Sequence, residues 1–113
     1  MDPLELARDL VRIAVEKKAE NVVILDVRAF LPITDYFVIL TGTNRRQVAA
    51  ISDTLIRELK RRGAPALGSD GVDAGRWALI DGASVIVHLF SPEAREYYDL
   101  EGLWGDAPRI APA

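Results

Sequence analysis

The chain predicts an α/β (α+β) domain in which a single mixed β-sheet of about four to five strands has helices packed on it. Three observations lead there. Segments with apolar residues at spacings of three and four alternate along the chain with short β-branched runs. Helices separate groups of two strands, the order expected of one sheet covered by helices. With 113 residues, 50% of them hydrophobic and 27% charged, there is material for one core and no second domain.

The first segment, "MDPLELARDL", opens a helix. Asp2 is placed to accept from free N–H groups, Pro3 fits the first helical position, and Glu5 sits where a capping-box acid reaches back. Leu6, Leu10, Ile13 and Ala14 form one apolar stripe that carries the helix to about Lys18. Next, "NVVILDV" reads as a strand from Val22 to Val27, and "DYFVILT" as a second from Asp35 to Thr41, both apolar enough to be buried on two faces. Pro32 in the intervening "RAFLPIT" makes that stretch a loop.

In "GTNRRQVAAISDTLIRELKRRG", Thr43 or Asn44 caps a second helix, Val48, Ile51, Leu55 and Leu59 form its buried stripe, and Gly63 ends it. Residues 64–75 are turn-rich, with a short strand expected around Ala66–Gly68. "RWALIDGASVIVHLF" reads as a hairpin, Arg76–Ile80 and Ser84–Phe90, with Asp81-Gly82 supplying the positive φ of the turn. Ser91 and Pro92 then start a third helix. The domain is expected to span 1–107, and 108–113, within "APRIAPA", to be a flexible C-terminal tail.

Composition excludes several functions. A net charge of −3 without a Lys/Arg tract leaves no global field for a phosphate backbone, so direct nucleic-acid binding is not expected. The absence of cysteine removes disulfides, thiolate metal sites and cysteine nucleophiles, and the single histidine removes a histidine-rich metal site. No apolar run approaches the ~20 residues of a spanning helix, and the acidic amino terminus is unlike a presequence. A cytoplasmic protein without a membrane association, a metal or a cofactor is the expectation.

The turn "TGTNRRQ" joins a strand to a helix, where an anion is welcome, but it lacks a Walker motif or a three-glycine fingerprint and reads as a cap and turn. In nucleotidyltransferases a Gly-Ser turn precedes paired acids on a strand. Here Asp53 falls on the helix, and nothing brings Asp26, Asp35 and Asp81 together at metal-ligand spacing. His88 alternates with Ser84, Ile86 and Phe90 on one strand face, opposite Val85, Val87 and Leu89. A lone histidine there is a structural residue by default, as Trp77 is core by default. If one face of the sheet is open, however, both join the aromatics that follow as a contact surface.

Taken together, "KKAENVVILDVR", "TDYFVILTGTNRRQ" and "GRWALIDGASVIVHLFSPEAREYYDLEGLWGDA" resemble the ribosomal silencing factor (RsfS) or Iojap-like family, over about Leu6 to Ala107. The family's marked positions are met by Asp35, Tyr36, Phe37, Gly42, Thr43, Gln47, Gly71, Trp77, Asp81, His88, Phe90, Arg95, Tyr98, Asp99, Leu103 and Trp104. Departures are Asn44 and Arg45 where serines are common, Asp70-Gly71 in place of Glu-Gly, and the segment "AFLP".

The resemblance implies a nucleotidyltransferase-like shape without the catalytic acids, and a task that is not enzymatic. It implies binding to the large ribosomal subunit, through the protein numbered fourteen in the large-subunit series, that sterically blocks joining of the small subunit and represses translation under nutrient limitation. A homodimer when free is also implied. For such a task the expected partner-binding residues are the anchors Trp77, His88, Phe90, Tyr98 and Trp104, with Asp70, Asp99 and Glu101 as an acidic rim. Any two of the anchors are as well placed in the core, and Tyr97 and Tyr98, adjacent on a helix, project in different directions. Two alternatives stand beside this reading: a large-subunit assembly factor touching RNA through Arg45, Arg46, Lys60, Arg61 and Arg62, and a residual nucleotidyltransferase-like enzyme.

Overall fold

The computed structural model describes residues 2–113. Its elements run α1 (Pro3–Glu16), β1 (Glu20–Asp26), β2 (Tyr36–Thr41), α2 (Arg45–Arg61), β3 (Gly68–Asp70), β4 (Trp77–Asp81), β5 (Val85–Phe90), α3 (Pro92–Tyr98), α4 (Leu100–Leu103) and β6 (Arg109–Ile110). The strands form one six-stranded sheet in the order β3-β4-β5-β2-β1-β6. Only β2 and β5 are parallel, which requires the long crossover through α2, β3 and β4.

Local chemistry sets the helix starts. The Asp2 carboxylate accepts from the Glu5 N–H at 3.1 Å, and Pro3 occupies the first position of α1. At α2, Asn44 accepts from the Gln47 N–H at 2.9 Å, while Gln47 Oε1 accepts from the Thr43 N–H and hydroxyl at 2.6 and 2.9 Å. Asn44→Ala is expected to lower the unfolding free energy by about 1 kcal/mol. Urea titration would show this as a lower midpoint at unchanged slope; an unmoved midpoint would mean that Gln47 alone holds the cap.

Both faces of the sheet carry apolar side chains. On one, Ile24, Val38, Leu40, Ile80, Val87 and Leu89 pack against the α1 stripe of Leu6, Leu10 and Ala14 and the α2 stripe of Val48, Ile51, Leu55 and Leu59. The other carries Leu25, Phe37, Ile39 and Phe90 under Ala94, Leu100 and Ala107. β2 is buried along its whole length, as expected of a central strand. β1 is not: Glu20 and Asn21 are exposed, Val22 and Val23 are half-buried, and only Ile24 and Leu25 are fully enclosed. The pairing with β2 is irregular between Glu20 and Val23, where Asn21 takes a positive φ of 52°.

Three further expectations are corrected. The short third strand lies at Gly68–Asp70, two residues later than expected. The positive φ of the β4–β5 turn falls on Ala83, at 67°, not on Asp81-Gly82. Gly82 is needed for space instead, because a Cβ there would stand 2.8 Å from the Val85 carbonyl oxygen. The flexible tail expected from residue 108 is in part a strand. Arg109 and Ile110 pair with Leu25 and Ile24, the Asp26 N–H donates to the Pro108 carbonyl at 2.8 Å, and Arg8 Nε donates to the Ala111 carbonyl at 3.1 Å. An edge strand tolerates neighbouring prolines, and pairing covers the otherwise open edge of β1.

Candidate functional site

The sheet face opposite α1 and α2 is covered incompletely, and the sequence explains how. Ser91 Oγ accepts from the Ala94 N–H at 3.2 Å and Pro92 follows, so α3 starts directly at the end of β5 and folds back over Phe90. The single third helix expected from the sequence is in fact two short ones. Asp99 adopts a left-handed conformation, φ 46°, that ends α3, and its carboxylate then accepts from the Gly102 N–H at 3.2 Å to cap α4. Gly102 leaves room for that carboxylate, since a Cβ would lie 2.2 Å from Asp99 Oδ2.

What the helices leave uncovered, aromatic rings fill. β-Sheet register puts Trp77 opposite Phe90 and Leu79 opposite His88, with Ile39 on the far side of His88. Trp77 packs at 5.0 Å from Phe90 and 4.7 Å from Tyr98, ring centre to ring centre. Its indole N–H donates to His88 Nδ1 at 3.1 Å. His88 meets the edge of Phe37 at 4.7 Å, Phe37 meets Trp104 at 5.4 Å, and Trp104 meets Phe30 at 6.2 Å. One continuous aromatic ridge therefore crosses the sheet from Tyr98 to Phe30.

Five expected anchors thus come together, but not as equals. Phe90 is 0% exposed, so it is a core residue beneath Trp77 and Tyr98. His88 is 5% exposed and lies in the layer below the surface. Both are corrected from direct contact residues to supports, because the larger rings of β4 and α3 fold over them. Burial pushes the His88 imidazole down to about 4, keeping it neutral at ordinary pH. Trp77 and Trp104 are half-buried, each with one side against the ridge. The two tyrosines separate cleanly. Tyr98, 44% exposed, turns inward onto Trp77, while Tyr97, 78% exposed, meets Tyr98 edge-on from outside at 5.1 Å.

The acidic rim is also redistributed. Asp70 is exposed on edge strand β3, and with Trp77 and Leu79 it lines a shallow groove of about 230 Å³. Asp99 is exposed beside Tyr98 while it caps α4. Glu101 does not belong to a free rim, because Arg95 holds both its oxygens, Nε to Oε1 at 3.0 Å and Nη2 to Oε2 at 3.1 Å. The sequence reading did not single out Arg95, Phe30 or Leu103 as contact or support. Phe30, 45% exposed and packed on Trp104, adds apolar surface to the ridge, and Leu103, next to Trp104 in sequence, is 76% exposed on α4. The "AFLP" departure that carries Phe30 was the available signal.

The basic residues do not form one patch. Arg45 and Lys60 lie near opposite ends of α2, roughly 22 Å apart at 1.5 Å per residue. Arg61 and Arg62 are engaged by Glu58 and Asp9, and Arg45 Nε donates to the Asp73 carbonyl. The acids near strand ends are likewise dispersed: Asp26 pairs with Arg28 at 2.7 Å and Asp81 accepts from the Ala83 N–H. Among the described residues no group of three or more His, Asp or Glu side chains is placed to hold a metal ion, and no helix is long and apolar enough to cross a membrane.

The family model described as ribosomal silencing factor during starvation matches residues 1–113. The chain belongs to the ribosomal silencing factor family. A ribosomal silencing factor RsfS from Halalkalibacterium halodurans is 39% identical over 110 residues, covering 97% of this chain and 94% of that one. A crystal structure of a protein from Chromobacterium violaceum superposes with a TM-score of 0.89 at 31% identity, over 93% of this chain and 88% of the other. The mouse protein named mitochondrial assembly of ribosomal large subunit protein 1 is 37% identical over 98 residues, which are 84% of this chain and 43% of that longer protein. In this member of the RsfS family, then, the aromatic ridge is carried by a fold shared with a solved relative.

Proposed function

We propose that this protein is a ribosomal silencing factor that binds the large ribosomal subunit through the protein numbered fourteen in its series. Bound there, it occupies the surface where the small subunit docks and represses translation when nutrients are short. It works in the cytoplasm by affinity and bulk, without a catalytic step, and is a homodimer when free. The observation that carries the reading is the half-covered sheet face, where Trp77, Tyr98, Trp104 and Phe30 make an apolar centre flanked by Asp70 and Asp99. Aromatic anchors supply binding energy and flanking carboxylates steer a basic ribosomal partner. An assembly role with direct RNA contacts is less well supported, because the basic side chains are split between the two ends of α2 and several are paired.

Purified protein at saturating concentration is expected to bind isolated large subunits and to prevent their joining to small subunits in sedimentation. Normal joining under those conditions would sink the anti-association reading. Tyr98→Ala and Trp104→Ala should each weaken binding by about tenfold or more, while circular dichroism stays close to wild type. Reversing Arg45, Arg46 and Lys60 should leave binding within about twofold. The opposite pattern would move the contact to RNA.

A further inference from the structure

We propose that His88 is the positioning residue of the partner face: its Nδ1 accepts the Trp77 indole N–H and fixes how Trp77 is presented, although His88 itself stays below the surface. The inference rests on the proposed contact role of Trp77 and adds what sets its geometry. Three facts carry it.

Trp77 is only half-buried, and its packing against Phe90 and Tyr98 is tilted, at 34° and 48°. Ring contacts of this kind are broad in energy and leave the indole free to turn. The N–H bond to His88 at 3.1 Å is directional and removes that freedom. An indole nitrogen only donates, so the imidazole nitrogen facing it must be the unprotonated one, which puts the ring proton on Nε2.

That Nε2–H is buried and has no hydrogen-bond partner. An unsatisfied buried donor is costly, and a phenylalanine at this position would carry none. Its neighbours favour such a ring, since Phe37 meets it edge-on and Phe90 stacks with it. What phenylalanine lacks is an acceptor for Trp77. The face therefore retains a less stable residue for the sake of one hydrogen bond to its half-exposed tryptophan.

The test compares His88→Phe, which removes the acceptor, and His88→Met, which leaves only a weak thioether acceptor, with His88→Asn. Asparagine places Oδ1 the same number of bonds from the backbone as imidazole Nδ1. The indole N–H signal of Trp77, assigned by its loss in Trp77→Phe, and the affinity for isolated large subunits are both measured. In His88→Phe the indole signal should shift and exchange faster with water. Affinity should fall about five- to tenfold, with stability near neutral pH equal to wild type or higher. His88→Asn should keep the signal and bind within about twofold of wild type. His88→Met serves the same purpose if the phenylalanine variant fails to fold. An unchanged indole signal, full affinity without the acceptor, or equal loss in His88→Asn and His88→Phe overturns the inference. Failure of the wild-type protein to bind large subunits overturns the functional reading instead, and the indole signal alone still decides whether His88 holds Trp77.

Discussion

Arg95→Ala is expected to lower the unfolding free energy by about 3 kcal/mol and to loosen the helical cover of the aromatic face. One guanidinium ties four elements together. It grips both oxygens of Glu101 on α4, donates to the Thr41 hydroxyl of β2 at 3.0 Å, and reaches the Asn21 carbonyl at the irregular start of β1. The Arg95 and Glu101 side chains are only 12% and 21% exposed, so solvent replaces little of what is lost. Truncation leaves Glu101 short of a partner in a half-buried site and strands the buried Thr41 hydroxyl, and each such group is costly. Because Tyr98 ends α3 and Trp104 follows α4, the loss should reach the proposed partner surface as weaker binding. Denaturant titration measures the stability term. A loss below about 1 kcal/mol would mean the ion pair only decorates the helices. Replacing Arg95 and Glu101 together by methionine should restore most of the stability, since no charge is then left unpaired.

Acid should destabilise the protein in a window set by His88. Its folded-state value, about 4, lies below the ordinary 6.5 because burial penalises the charged ring. The unfolded chain therefore binds this proton first. The contribution is fully present above about pH 6.5 and is lost as pH falls toward 4, a change on the order of 3 kcal/mol. No carboxylate offsets it at close range: its strand neighbours are Leu79 and Ile39, the rings packed on it are Trp77, Phe37 and Phe90, and Asp70 stands beyond Leu79 on β3. Carboxylates act lower on the scale. Arg61 and Arg62 hold Glu58 down to about 2, and Arg28 lowers Asp26, so their stabilisation is present above the ordinary carboxylate range and fades in stronger acid. Denaturant titrations between about pH 7 and pH 4 should show the decline in wild type and its near absence in His88→Phe. A flat wild-type profile over that range would refute the assignment.

How much was legible beforehand differs from residue to residue. The Asp2 and Ser91 caps, and the α2 cap to within Thr43 or Asn44, could be read because a cap needs only a short side chain and an N–H within four residues. The split of β5 into Val85, Val87 and Leu89 on one side and Ile86, His88 and Phe90 on the other followed from the period of two. Most of the aromatic set at the site was also visible, Phe30 and Phe37 excepted, as was the family it suggests. Its layering was not. Whether Phe90 lies under Trp77 or beside it depends on how α3 folds back from Ser91 and Pro92, and where Trp104 sits turns on the left-handed conformation of Asp99 between α3 and α4.

The sequence by itself determined the order of elements from α1 to α3, the starts of those three helices, the alternation of the strands and the kinship with silencing factors. The first three rest on local dihedral preferences and short spacings that hold wherever the segment sits, and the kinship rests on resemblance to the family's motifs. Only the tertiary structure decided which aromatics are surface and which support, that Arg95 clamps residues 54 and 74 positions away, and that Arg109 and Ile110 close the edge of β1. Those contacts join distant parts of the chain, and their energies exist only once the sheet has brought the partners within reach.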